Sequence, residues 1–151
     1  MARKRAIISA CLLGEDCRYD GKIKKVNKVV QTFKEYEIIP FCPEASLFGT
    51  PRERISIVNI DGVNRIISDE TFKDVTLLLK KEIYGFMENN RNIDAIVLKS
   101  KSPSCGIGTT PILDVNKEVA FYGNGIAVSI FKEHYDCKIE DEIAIESRRC
   151  T

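Results

Sequence analysis

Histidine occurs once in the 151 residues, at position 134, and no two cysteines stand in a C-x-x-C pair. The first shortage nearly excludes histidine-based zinc chemistry. The second removes the paired ligands of a structural zinc site and the motif of thiol–disulfide exchange. The ferredoxin run of closely spaced cysteines is missing as well. No apolar run is long enough to cross a bilayer: IISACLL, behind the basic MARKR, is short and leads straight into charged residues. It also lacks the apolar core and small-residue cleavage site of a signal peptide. Neither sign of charge is in excess. A formal net charge of +1 gives no whole-molecule attraction to nucleic acid or to an anionic membrane. With no repeat, low-complexity tract or internal linker, one compact cytoplasmic domain over residues 1–151 is expected, with 136–151 as a C-terminal tail of unclear role.

Cysteine, by contrast, is present six times, in a chain that is 44% hydrophobic and 30% charged. Such a composition builds an ordinary globular core. In a reducing compartment six thiols point to metal binding or catalysis rather than to disulfides. Four of them lie in segments of chain-breaking or carboxylate residues: Cys11 in SACLLG, Cys17 in CRYDG, Cys42 in CPE and Cys105 in SPSCG. Cys137 and Cys150 have no such setting and read as small core hydrophobes.

The apolar patterns place these segments. Ala6–Cys11, Glu37–Cys42 and Ile93–Ser100 are short β-capable runs, the last almost continuously apolar, as in a buried parallel strand. Pro40 puts the second of them at a strand end or sheet edge. Val26, Val29, Val30 and Phe33 recur at helical spacing, and so do Val75, Leu78, Leu79, Ile83 and Phe86, behind a cap at or beside Asp74. Tyr84 and Phe86 on that helix read as core rather than base-stacking residues, and Lys22, Lys24, Lys25 and Lys28 as a solvated face. Asp61-Gly62 between ISIVNI and VNRII is a strong hairpin signal, and ILDVNKEVAFY makes a second turn near Asn116. Pro43, Gly49 and Pro51 make PEASLFGTPRERI a loop. A last helix spans Ile126–His134, and alternating Ile143 and Ile145 suggest an edge strand in the tail. Strands alternating with helices imply an α/β three-layer sandwich with a mostly parallel, Rossmann-like sheet plus a β-hairpin.

In such a fold, right-handed crossovers bring Cys11, Cys42 and Cys105 to one side of the sheet, at the crevice where open α/β sheets bind ligands. Soft thiolates select zinc, Cu(I) or an iron–sulfur cluster. Spacing alone does not decide among these. If three thiolates held a four-iron cluster, one iron would keep an open position, as catalytic zinc does with three protein ligands.

ISACLLGEDCRYDGK, PFCPEASLFGTPRE and LKSKSPSCG, in that order, resemble the signature segments of the thiouracil-desulfurase-like family (domain of unknown function 523). The likeness extends to KDVT (Lys73–Thr76) and GNGIA (Gly123–Ala127), covering almost the whole chain before the tail. What the resemblance implies is a [4Fe-4S] cluster on three cysteines, with one iron lacking a protein ligand. It further implies non-redox removal of sulfur from a 2-thiouracil-like base, yielding the oxo base and hydrosulfide. By the same resemblance Cys11, Cys42 and Cys105 are the ligands, with Cys17 as an alternative one. Glu44 is the catalytic glutamate, and Ser102, inside SPSCG, is preferred to Ser100 as the catalytic serine.

A thioamide carbon is a poor electrophile until its sulfur is polarised, and water must then be deprotonated by a carboxylate within reach, a task that fits Glu44. The structural reading of Glu44 is a first-turn helix carboxylate. Arg18, Asp20 and Arg52 read as ion pairs holding two loops, or as contacts to the base together with Ser100 and Ser104. Gly106 and Gly108 either turn the chain or bring amides toward cluster sulfides. The partner is a small thiolated base; the lack of a basic strip weighs against tRNA. The rival readings are a sulfide-binding or sulfur-trafficking protein without turnover, and a zinc-stabilised interaction domain.

Overall fold

A computed structural model describes residues 3–15 and 25–148. Cys17, Arg18, Asp20, Lys22, Lys24 and Cys150 lie outside the described residues. The described elements run β1 (Arg5–Ser9), a 3-10 turn (Ala10–Leu13), α1 (Asn27–Thr32), β2 (Glu37–Phe41), α2 (Pro43–Phe48), β3 (Ile55–Ile60) and β4 (Val63–Ser68). They continue through α3 (Thr76–Glu88), β5 (Ala95–Leu98), β6 (Thr110–Leu113), β7 (Val119–Gly123), α4 (Ile126–His134), β8 (Ile139–Asp141) and α5 (Glu142–Glu146).

One sheet is wholly parallel, in the order β2-β1-β5-β8. Strand alternation in β1 sends Ala6 and Ile8 to one face and Ile7 to the other, and all three are fully buried. Ala6 and Ile8 pack with Val29 and Phe33 of the α1 region and Ile145 of α5. Ile7 packs with Ile83 of α3 and with Val128 and Phe131 of α4. Helices on both faces make this a three-layer α/β fold, and Pro40 sits on edge strand β2 as its missing N–H requires.

The rest of the architecture departs from expectation in four places. Both hairpins join one second sheet, in the order β4-β3-β6-β7, because β3 and β6 pair in parallel at Ile57–Ile112 and Val58–Leu113. The segment after Cys42 begins with α2 rather than a loop: Pro43 stands at the first helical position, where its fixed φ is pre-organised, and Gly49 follows the last. In the tail, the edge strand comes earlier, at Ile139–Asp141, and Ile143 and Ile145 lie in α5, whose N-cap Asp141 accepts from the Ala144 amide at 2.9 Å. Helical geometry then puts Ile145 in the core while Ile143 is exposed. On α3, Leu78 is 52% exposed, and the residue buried near the helix start is Thr76.

Thr76 and Asp74 explain that start. The Asp74 carboxylate accepts from the Thr76 amide (3.0 Å) and hydroxyl (2.6 Å), and the Ile66 amide of β4 donates to Thr76 Oγ1 (2.8 Å). Arg65 closes the cluster at 2.7 Å. Burial alone would raise the Asp74 pKa, but Arg65 and Thr76 outweigh it and bring it from 3.8 to about 2. Because the folded value is depressed, the stabilisation is complete above pH 3.8 and is lost as pH falls through about 2. The side chain is 38% exposed, so after solvent screening the expected gain is on the order of 1 kcal/mol. Urea denaturation of Asp74→Asn should show a lower midpoint than wild type at pH 6, with the gap closing toward pH 2.

Candidate active site

Parallel strands β1, β2 and β5 all end on the same side, and each is followed by one of the marked cysteines. Cys11 lies in the 3-10 turn directly after β1, which closes at Gly14 in the left-handed region (φ 89°). Cys42 follows β2 and forms the N-cap of α2, anchored from below by Phe41, whose ring meets those of Phe86 (4.7 Å) and Phe131 (5.2 Å). Cys105, a buried free thiol, follows β5 by way of the SPSCG loop. The three line one cavity of about 370 Å³, together with Ser9, Glu44, Arg52 and the serines 100, 102 and 104.

The loop that presents Cys105 is held from several sides. Ser102 Oγ accepts from the amides of Ser104 and Cys105, both at 3.1 Å, so the serine side chain makes the turn itself. Thr110 Oγ1 donates to the Ser102 carbonyl at 2.6 Å. The start of α4 then clasps the loop: the amides of Gly125, Ile126 and Ala127 donate to the carbonyls of Gly106 (2.7 Å), Pro103 (3.0 Å) and Ser104 (2.8 Å). A Cβ on Gly125 would stand 2.5 Å from the Ser104 carbonyl carbon, which accounts for the second glycine of GNGIA. Gly106 and Gly108 serve turns. The Gly106 amide donates to the Ser102 carbonyl at 3.0 Å, and that of Gly108, at φ 64°, to Asn124 Oδ1 at 2.8 Å.

Glu44 occupies the first turn of α2, yet its carboxylate faces the cavity. Ser104 Oγ donates to Oε2 at 2.8 Å, and Arg52 Nη2 lies 3.6 Å from Oε1. Side-chain exposures of 12% for Glu44 and 7% for Arg52 make this a desolvated pair. Burial pushes the Glu44 pKa up; Ser104, Arg52 and Ser102 offset part of that rise. Arg52 is braced in turn by the Gly49 carbonyl (3.0 Å) and Thr50 Oγ1 (3.3 Å). The Cys105 thiol is also pushed up, first by burial and then by Cys42, Cys11 and Glu44. That mutual effect is the electrostatic signature of three thiols and a carboxylate sharing one enclosure.

Ser100 lies in the cavity wall with its hydroxyl committed elsewhere. Glu142 of α5 accepts from the Ser100 amide (2.7 Å) and hydroxyl (2.9 Å) and pairs with Lys99 Nζ (3.2 Å). This buried clamp gives the tail a role that no motif announced. Sequence reasoning also passed over Ser9, Arg54, Lys99 and Lys101, which line the cavity; both lysines were visible in LKSKSPSCG. Of the four basic side chains in the cavity wall, Arg52 faces Glu44 and Lys99 pairs with Glu142. Cys137 is half-buried beside the Phe131 cluster, and His134 meets Tyr84 edge-to-face at 5.8 Å on the exposed side of α4.

No group of three or more His, Cys, Asp or Glu side chains among the described residues is gathered closely enough to hold a metal ion. A cubane of four irons and four sulfides makes a different demand, since each thiolate binds a separate corner. Three thiols spaced around the wall of one cavity, with cations to balance them, fit that demand. Among the described residues, no helix is long and apolar enough to cross a membrane.

The family model described as 2-thiouracil desulfurase matches residues 6–142, from β1 to Glu142. The chain belongs to the 2-thiouracil desulfurase family. It is 32% identical over 111 residues to the uncharacterized protein YbbK of Bacillus subtilis (strain 168), a stretch covering 68% of this chain and 73% of that protein. A solved structure described as the [4Fe-4S]-dependent thiouracil desulfidase TudS (DUF523Vcz) is similar at 26% identity. It superposes with a TM-score of 0.71 over 95% of this chain and 94% of its own. The matched region ends on the residue that clamps Ser100.

Two substitutions test the scaffold. Gly125→Ala drives a Cβ into loop backbone and should cost roughly 1–3 kcal/mol, read as a lowered thermal midpoint. Glu142→Ala leaves the buried Ser100 amide and hydroxyl without their acceptor and removes the partner of the half-buried Lys99, with an expected loss of about 2 kcal/mol in chemical denaturation. Leu77→Ala, on an exposed side chain of α3, serves as the neutral control.

Proposed function

We propose that this protein is a [4Fe-4S]-dependent desulfidase that converts a thiolated nucleobase of the 2-thiouracil type to its oxo form and hydrosulfide. The observation that carries the reading is the meeting of Cys11, Cys42, Cys105 and Glu44 in one cavity at the ends of three parallel strands. The similarity to TudS, which is described as [4Fe-4S]-dependent, supports the cofactor. Cys11, Cys42 and Cys105 would hold the cluster. When bound, it supplies an iron without a protein ligand, a Lewis-acidic position for the thiocarbonyl sulfur.

The chain's own residues account for the rest. Glu44 takes one proton from water as the oxygen adds to the thioamide carbon and passes it to the sulfur; as hydrosulfide leaves and the carbonyl forms, Glu44 accepts the remaining hydroxyl proton and releases it, so that water and thioamide become carbonyl, hydrosulfide and a proton. Ser104, donating to Oε2 at 2.8 Å, and Arg52, opposite Oε1, fix the direction of that carboxylate. Ser102 holds the turn beneath it and has its own proton to offer Glu44. Arg54 and Lys101 add positive charge to the cavity wall beyond that of Arg52 and Lys99, which pair with Glu44 and Glu142, and so favour the thiolates and the sulfide formed. The low exposure of the Glu44 and Arg52 side chains strengthens the contact between them.

The test begins with protein prepared without oxygen and reconstituted with iron and sulfide. Four irons and four sulfides per chain are expected, with release of uracil and sulfide from 2-thiouracil. Glu44→Ala should keep its iron while turnover falls at least ~100-fold, the scale of a lost acid–base group. A colourless protein holding stoichiometric zinc would overturn the cluster. Sulfide retained without any uracil would make the protein a sulfur carrier instead.

A further inference from the structure

Thr109 and Thr110, at the entry to β6, grip the Cys105 loop by its neck. Thr109 Oγ1 accepts from the Lys101 amide at 2.9 Å, and Thr110 Oγ1 donates to the Ser102 carbonyl at 2.6 Å. Lys101 is held there at φ 66°, in the left-handed region that a residue with a Cβ seldom adopts. Thr110 is buried, and a Cβ on Gly106 would collide with its hydroxyl. The Ser102 carbonyl also accepts the Gly106 amide at 3.0 Å, so both of its lone pairs are used. A run of contacts leads from this neck to the carboxylate. Ser102 Oγ accepts from the Ser104 amide at 3.1 Å, and Ser104 Oγ donates to Glu44 Oε2 at 2.8 Å. Arg52 faces the other oxygen, Oε1, from the segment that enters β3, the strand paired in parallel with β6. Both partners of Glu44 are therefore anchored in the second sheet, whereas the three cysteines follow strands of the first.

We infer that Thr110 is a positioning residue for Glu44: its hydroxyl fixes the Ser102 carbonyl, the Ser102 turn presents Ser104, and Ser104 aims the carboxylate. The inference rests on the reading that Glu44 moves the protons of the desulfidation. Thr110 stands behind the cavity wall, which Ser102 and Ser104 line. The first sheet gathers the thiols and the second aligns the carboxylate against them, so two separate frames meet in one cavity. A hydroxyl is needed at the neck because the Ser102 carbonyl loses a partner without it. A valine of nearly the same shape leaves the turn tied at that point by the Gly106 amide alone. A small displacement of a general base lowers turnover steeply, while contacts that bind the ring elsewhere are kept.

Thr110→Val removes the hydroxyl and nearly keeps the shape; Thr110→Ser keeps the hydroxyl. Both would be reconstituted beside wild type, Glu44→Ala and the double variant of Glu44→Ala with Thr110→Val, and assayed with 2-thiouracil. Thr110→Val should load the same iron and keep its KM, while kcat falls about tenfold. Thr110→Ser should turn over like wild type. In the Glu44→Ala background, Thr110→Val should change the residual turnover by less than about twofold, because the group it positions is already gone. In iron-free protein, the amides of Ser104, Cys105 and Gly106 should exchange with deuterium roughly tenfold faster in Thr110→Val than in wild type. An equal loss of turnover in both backgrounds overturns the inference, as does an unchanged kcat, an unchanged exchange rate or a folded Thr110→Val that takes up no iron. Were Thr110→Val not to fold, a kcat lowered about tenfold in Thr110→Ser would overturn it, and the wild-type kcat would sustain it. A wild type that releases no uracil removes the reading of Glu44 itself, whereas equal losses in the two backgrounds remove only the path from Thr110 to it.

Discussion

Parallel pairing of β1 with both β2 and β5 is the constraint on which the site depends. Parallel strands end on the same side, so whatever follows them is delivered to one place without any loop having to reach. A strand reversed in that trio would send its cysteine to the opposite face of the molecule. The pairing is secured by burial on both faces of β1, where adjacent residues enter two different cores. A slip of one residue would exchange those cores, so the register of the sheet and the position of Cys11 are set together.

Between the strand ends and the chemistry stands a layer of small polar contacts. Ser102, Ser104 and Thr110 each spend their side chains on carbonyls, amides or a carboxylate a few ångströms away. Gly125 lets the start of α4 press directly on the backbone of the Cys105 loop. The result is a rigid rim around a cavity whose walls carry opposed charges. Rigidity of this kind suits the proposed reaction, in which a water, a carbon and a sulfur line up with a fixed carboxylate.

Much of this was legible in the residues. Asp61 and Gly62 adopt positive φ (52° and 82°), as a tight hairpin turn needs. Ile126–His134 is helical over its full expected length. The convergence of Cys11, Cys42 and Cys105 followed from reading three apolar runs as parallel strands. What stayed hidden was set by distant contacts. Two residue pairs between β3 and β6 merge the hairpins into one sheet, and nothing local announces them. Helix α2 has six residues among prolines and a glycine, too few for a periodic stripe to show. Leu78 fits the helical pattern of α3, but Thr76 takes the interior because its hydroxyl completes a polar cluster. In IEDEIAIES, Glu142 cannot be told from its acidic neighbours until its partner, more than forty residues away, is seen.

The clamp between Glu142 and Ser100 sets an order of assembly. A chain leaves the ribosome from its N-terminus, so all three cysteine-bearing segments emerge well before α5. Until α5 docks, the wall of the cavity is missing the carboxylate that pins Ser100 and neutralises Lys99. The three thiols can thus be gathered by the central strands while the pocket around them is still unfinished. The last wall contact is made only after all three cysteine-bearing segments are in place, so the thiols are brought together before the enclosure closes around them.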